Sequence, residues 1–222
     1  MNRYYTRACN FYYGNESRLL VKKKKSLPLN GNKDISFDII EIISRKSKKK
    51  ISIKKLNKLP KILKNKVKKD LRIITSKKKN FANLNFKIIP NIMGVLNLTP
   101  DSFSDGGKFN TKNKAVKHAL KMFKSGANII DVGGESTRPG SKPVNKKLEW
   151  KRIQETLRLI CKKIPVSLDT RKSEIMKKGI KLGVKIINDV SGLNYDYKSK
   201  DIIKKYKIPF VIQHSKGTPE NM

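Results

Sequence analysis

At 222 residues the chain is long enough for one good core and a smaller appended segment, and its 53 Lys+Arg against 17 Asp+Glu give a formal charge of +36. No apolar run approaches the roughly 18–20 residues of a membrane span and no signal-peptide core opens the chain, which excludes a membrane protein and points to the cytoplasm. Cys9 and Cys161 stand far apart without partner spacing, so they read as free thiols of a reducing compartment rather than a disulfide framework.

The charge is uneven. Residues 1–90 hold 26 Lys+Arg against 5 Asp+Glu, and residues 91–222 hold 27 against 12. A surplus of this size raises nucleic acid or an anionic membrane as a partner. Yet 44 of the 53 basic residues are lysine, beside abundant Ile and Asn, which fits a coding bias that fills solvated positions with lysine. No helix-turn-helix, zinc finger or aromatic–basic ladder accompanies them, so no specific nucleic acid is expected. Small anionic substrates would suit a basic cleft.

Taken in chain order, residues 1–87 read as a small basic α/β extension. Phe37–Ile43 is Ile-rich and fits a short helix or a strand, and a helical period starts at Pro60 and takes in Ile62, Lys66 and Lys69-Asp70. Ser76–Asn80 is the most linker-like stretch. Residues 88–222 form the second domain. Apolar strands are predicted at 88–96, 128–132, 165–169, 185–190 and 208–213. Helical periods fall between them at Val116–Phe123, Ile153–Ile160, Ile175–Ile180 and Ile202–Tyr206. Such alternation argues a parallel sheet with helical crossovers.

The chemistry-bearing residues gather just past the predicted strands: Asn97, then "GGESTRPG" (133–140), Asp169-Thr170, Asn188-Asp189 and Gln213-His214. A (β/α) barrel brings all its strand ends to one rim, whereas a doubly wound sheet uses only the loops at its switch point. Polar residues after all five strands favour the barrel.

Each motif has a chemical reading beside a plain one. Asn97 offers a neutral amide oxygen suited to magnesium; the loop 100–107 after it has the makeup of a lid or of a solvated turn. In "GGESTRPG" the glycines allow close backbone approach, the hydroxyls suit phosphate oxygens and Arg138 adds a fixed fork for phosphate or carboxylate. Asp169 could accept N–H bonds from a heterocycle and Asn188 could donate and accept, or either could cap the next helix. His214 could line a site or cap a loop. His118 reads as surface and Trp150 as packing.

In order and spacing, "IMGVLNLTPDSFSDGGKFN", "GANIIDVGGESTRPGSKPV", "PVSLDTRKSEI", "GVKIINDVSGL" and "VIQHSKGTPENM" resemble dihydropteroate synthase over about residues 90–222. The resemblance implies a TIM (β/α)8 barrel that condenses 6-hydroxymethyl-7,8-dihydropterin diphosphate with p-aminobenzoate, giving dihydropteroate and pyrophosphate in folate synthesis. It implies Mg2+ at Asn97, diphosphate contact at Thr137, and a pterin floor of Asp169 and Asn188. It also implies two mobile loops over p-aminobenzoate carrying Phe103, Asp105, Arg138 and Pro139. Asp105 would face a pterin cation if the carbon–oxygen bond breaks early, which makes it and Arg138 the catalytic candidates. The full-length form is expected to be a homodimer.

The family pattern departs at two places. Gln213 stands where Met is usual, and the family's later Asp-Pro-Gly, Ser-Arg-Lys and Arg-x-His segments are not present. The chain therefore reads as a partial barrel of about five βα units with little or no synthase activity alone. A non-catalytic pterin-binding fragment and a pterin-binding methyltransferase domain are the competing readings. The TPDSFSDGG and STRPG loops discriminate against the second.

Overall fold

The computed structural model describes residues 4–82, 84–85, 90–99, 111–136 and 141–213. The chain divides into two compact units, Met1–Lys79 and Asn80–Met222.

In the first unit the strands are β1 (Tyr5–Tyr13), β2 (Leu27–Leu29), β3 (Asn32–Ile43) and β4 (Lys48–Ser52), with helices α1 (Gly14–Lys22) and α2 (Lys61–Thr75). β3 is central and every pairing is antiparallel: β1 runs along one edge, while β2 and β4 share the other. The Ile-rich stretch that fitted helix or strand is thus strand. It has a hydrogen-bonding neighbour on each side, and β-branched side chains suit a pleated, packed surface. Asn30 and Gly31 turn β2 into β3 with φ of 51° and 71°, the left-handed pair that a two-residue hairpin requires. α2 follows Pro60 and lays Val67 and Leu71 against Phe37, Ile40 and Ile42. Every lysine of this unit except Lys64 is exposed.

The second unit alternates strictly: β5 (Met93–Asn97), α3 (Thr111–Lys124), β6 (Ile129–Gly133), α4 (Lys146–Ile160), β7 (Val166–Asp169), α5 (Ser173–Leu182), β8 (Ile186–Asp189), α6 (Ser199–Tyr206) and β9 (Phe210–Ile212). All pairings are parallel and the sheet order is β5-β6-β7-β8-β9. Among the described residues the order never reverses, so they contain no switch point of the doubly wound kind. This is the α/β architecture of parallel strands and alternating helices that builds a TIM barrel.

Strand alternation sorts the side chains. Ile130, Val132, Val166, Leu168 and Ile187 form one face and pack on Ala115, Ala119, Ile153, Leu157, Ile175 and Met176 of the helices. Asn97, Asp131, Gly133, Asp169 and Asn188 occupy alternate positions and belong to the opposite face. The later strands, β6 to β9, sit within one or two residues of their predicted bounds. β5 begins at Met93, and the predicted start at 88 lies outside the described residues; between them Pro90 has no N–H for a ladder and Ile92 is tied to Asn128, donating to its Oδ1 and accepting from its N–H at 2.7 Å each. Among the described residues no helix is long and apolar enough to cross a membrane, and both cysteines are free thiols.

Candidate active site

The strand ends meet in a single row. In Cα register, Asn97 of β5 stands opposite Gly133 of β6, Gly133 opposite Asp169 of β7, and Asp169 opposite Asn188 of β8. Parallel neighbours in register point the same way, so three polar side chains and one glycine share a face at the C-terminal rim. One layer below lies Asp131, two residues before Gly133 and opposite Ser167. Its Oδ2 accepts a 2.9 Å hydrogen bond from Asn188 Nδ2.

The electrostatics of the row are strained toward protonation. Burial, then the carboxylates of Asp131, Glu149, Glu135 and Asp189, push the Asp169 carboxyl up to about 7. Burial also raises Asp131, opposed by its polar neighbours Ser167 and Asn188. Asp189 is fully buried, but its carboxylate turns back onto its own loop and accepts from Ser191 N–H (2.8 Å), Ser191 Oγ (2.7 Å) and Leu193 N–H (3.1 Å). It shapes the turn that follows Asn188.

The two glycines of the GGESTRPG loop face different neighbours. A Cβ on Gly133 would lie 3.3 Å from Asp169 Oδ2 and 3.5 Å from Asn97 Oδ1, so its missing side chain clears the centre of the row. A Cβ on Gly134 would lie 2.8 Å from Ile153 Cγ2 and 3.0 Å from the Glu149 carbonyl, so this glycine lets α4 close on the strand end. Glu135 then anchors the loop. It accepts from Val144 N–H at 2.8 Å, from Arg171 at 2.9 and 3.2 Å, and from Lys172 Nζ at 2.9 Å. Burial opposes its charge, yet these donors outweigh it and hold the carboxyl below the usual range. Lys172 Nζ also reaches Glu149 at 2.5 Å, and Thr170 Oγ1 donates to Glu149 at 2.6 Å. At the loop's neck, Ser141 Oγ donates to the Ser136 carbonyl at 2.7 Å.

Of the residues singled out from the sequence, Asn97, Asp169 and Asn188 come together in the row. Phe103, Asp105, Thr137, Arg138, Pro139 and His214 lie outside the described residues. His118 is exposed on α3, and Trp150 packs against the core. Asp131 was not anticipated. The available signal was its spacing: two residues before Gly133 puts it on the same strand face. Arg171, Lys172 and Glu149 were also passed over, since charges around a helix start resemble ordinary surface.

Among the described residues no group of three or more His, Cys, Asp or Glu side chains is arranged to hold a metal. Magnesium does not need one. It takes oxygen donors and keeps several waters, and the Asn97 amide oxygen beside the gap left by Gly133 is compatible with that demand.

A parallel series of βα units with a row of polar side chains on its C-terminal rim is the architecture on which barrel-type enzymes build their sites. The model of the pterin binding enzyme family matches residues 93–222, and the chain belongs to that family. It is 42% identical over 135 residues to dihydropteroate synthase of Bacillus subtilis, covering 60% of this chain and 47% of that protein. Against the synthase of Clostridium beijerinckii it is 45% identical over 131 residues, 58% of this chain and 49% of the relative. Among solved structures, Xanthomonas albilineans dihydropteroate synthase with 4-aminobenzoic acid aligns with TM-score 0.55 at 38% identity, over 58% of this chain and 47% of that one. The Clostridium difficile synthase in the presence of pteroic acid aligns with TM-score 0.56 at 40% identity, over 63% and 52%. The chain spans about half the length of the curated relatives it matches.

Proposed function

We propose that this chain supplies the pterin site of a dihydropteroate synthase. The enzyme would condense 6-hydroxymethyl-7,8-dihydropterin diphosphate with p-aminobenzoate and release pyrophosphate, a transferase step of folate biosynthesis. The observation that carries the reading is the row of Asn97, Asp169 and Asn188 across adjacent strand ends, with Gly133 leaving its centre clear.

Asp169 and Asn188 stand side by side and suit the N–H-bearing edge of a flat heterocycle, one as acceptor and one as donor and acceptor. Thr137 and Arg138 are assigned to the diphosphate, and Phe103, Arg138 and Pro139 to the p-aminobenzoate loops. The aniline nitrogen attacks the pterin methylene carbon, the carbon–oxygen bond to the diphosphate breaks, and its electron pair leaves with pyrophosphate. The amine proton passes to water. The nitrogen lone pair is already free near neutral pH, so the protein's task is positioning and charge neutralisation. Magnesium bound at Asn97 would supply positive charge against the leaving diphosphate. Asp105 is assigned to stabilise positive charge on the pterin. We place the protein in the cytoplasm, and in a homodimer, on the family resemblance alone. Residues 88–222 are the pterin-binding domain in this reading, with 1–87 as an appended basic one.

Calorimetric titration of the chain with pterin diphosphate and magnesium tests it. Saturable binding that Asp169→Asn removes is the expected result, and absence of binding at millimolar ligand would overturn the reading. Addition of p-aminobenzoate, with pyrophosphate release followed, then separates a catalyst from a binding fragment.

A further inference from the structure

We propose that Asp131 is a positioning residue that fixes the hydrogen-bonding sense of Asn188. The inference rests on the pterin reading above and adds a residue to it.

A carboxamide at a strand end can rotate by half a turn and exchange its donor and acceptor ends at almost no steric cost. What selects one sense is the partner beneath it. Asn188 Nδ2 lies 2.9 Å from Asp131 Oδ2, and a carboxylate oxygen accepts only, so the amino end of the amide must face down. The Asn188 carbonyl oxygen and one remaining N–H are then left for the ligand. No donor among the described residues reaches Asn188 Oδ1.

The placement is secured by the backbone. Asp131 and Gly133 are alternate residues of β6, and Gly133 aligns with Asp169, which aligns with Asn188. Asp131 thus sits under the row, 5% exposed and with its Oδ1 unpartnered among the described residues. A buried carboxylate whose polar neighbours among the described residues are Asn188 and Ser167 alone is costly to the fold. Its presence makes sense as the part that orients a recognition group. The consequence is a floor whose two upward-facing oxygens, on Asp169 and Asn188, stand in adjacent strands and select a heterocycle edge carrying neighbouring N–H donors.

A double-mutant cycle on the full chain decides it, with 6-hydroxymethylpterin as the titrated probe and thermal melts to verify folding. Asp131→Ala should weaken probe binding on the order of tenfold, and Asn188→Ala by a similar factor or more. In the Asn188→Ala background, Asp131→Ala should have no further effect, because its action runs through that amide. Additive losses, or unchanged affinity in Asp131→Ala, would overturn the proposal. Asp131→Asn keeps the size and one accepting oxygen, so intermediate affinity is expected if the fold of the Ala variant suffers. Asn188 side-chain N–H exchange, read on 15N-labelled chain without ligand, gives an independent arm. Slow exchange in the parent and fast exchange in Asp131→Ala support the contact. Equal rates count against it, even if the probe fails to bind the parent chain and the pterin reading falls.

Discussion

Gly133 and Asp169 stand opposite each other across β6 and β7, and a methyl group on Gly133 would come within 3.3 Å of the Asp169 carboxylate. The neighbouring Gly134 faces the other way, against the Glu149 carbonyl and Ile153. One glycine serves the site and the other serves the packing of α4, and substitution should separate the two.

Gly133→Ala crowds only the Asp169 carboxylate oxygen, which can swing aside, while Asp169 Cβ at 3.4 Å and Asn97 Oδ1 at 3.5 Å are in ordinary contact. It should cost under about 1 kcal/mol of stability and weaken pterin binding by displacing Asp169. Gly134→Ala meets backbone and a branched side chain that cannot yield, and should cost about 1–3 kcal/mol with binding retained below the transition. Urea titration paired with ligand titration checks both. Equal effects of the two variants on binding would refute the division.

Lys172 holds two acids at once, Glu135 at 2.9 Å and the fully buried Glu149 at 2.5 Å. Removing it strands Glu149 without a counter-charge. Lys172→Met should therefore cost about 3–5 kcal/mol. Adding Glu149→Leu should recover most of the loss, since Glu135 keeps Arg171. The urea midpoints of the single and double variants check this, and a single variant as stable as the parent contradicts it.

Asp189 shows what a satisfied buried carboxylate looks like beside the row. Three donors from Ser191 and Leu193 converge on it, and its replacement leaves them without an acceptor. Asp189→Ala should cost about 2–3 kcal/mol and loosen the turn that follows Asn188. Faster exchange of the Leu193 amide would report the second effect.

Much of this was legible because it follows from spacing. Isoleucine and valine runs separated by helical periods gave the alternation of the second unit. Asn97, Asp169 and Asn188 could be placed together because a barrel sends every strand end to one rim. Asp131 was hidden inside "NIIDV", where an acid among apolar residues looks like part of a buried strand. Only register reveals that it lies beneath Asn188. Glu135 was seen as a member of a ligand loop, while its carboxylate is spent on Arg171, Lys172 and the Val144 amide. The first unit was least readable, because β3 is buried along both faces and its pairing partners are short or far along the chain.

The Asp169 carboxyl, pushed up to about 7 by burial and by the acids around it, links site and stability. An unfolded aspartate titrates near about 3.9. Between about pH 4 and 7 the folded chain holds a proton the unfolded chain has lost, so stability falls as pH rises through that window and levels off above it. Asp169→Asn removes this slope. It should match the parent below about pH 4 and exceed it above pH 7 by a margin on the order of 1–3 kcal/mol. The same substitution should abolish pterin binding, because Asn puts an N–H2 donor and no charge where the ionised carboxylate offers two accepting oxygens to the ligand's N–H groups. Binding to the parent at pH 6 must then drive a proton off Asp169, and at pH 8.5 it need not. Calorimetry in two buffers of different ionisation enthalpy measures that proton directly. Release at pH 6 that vanishes at pH 8.5 is the expected outcome. Binding without proton release at pH 6, or an Asn variant less stable than the parent at pH 8, would remove Asp169 from its proposed role.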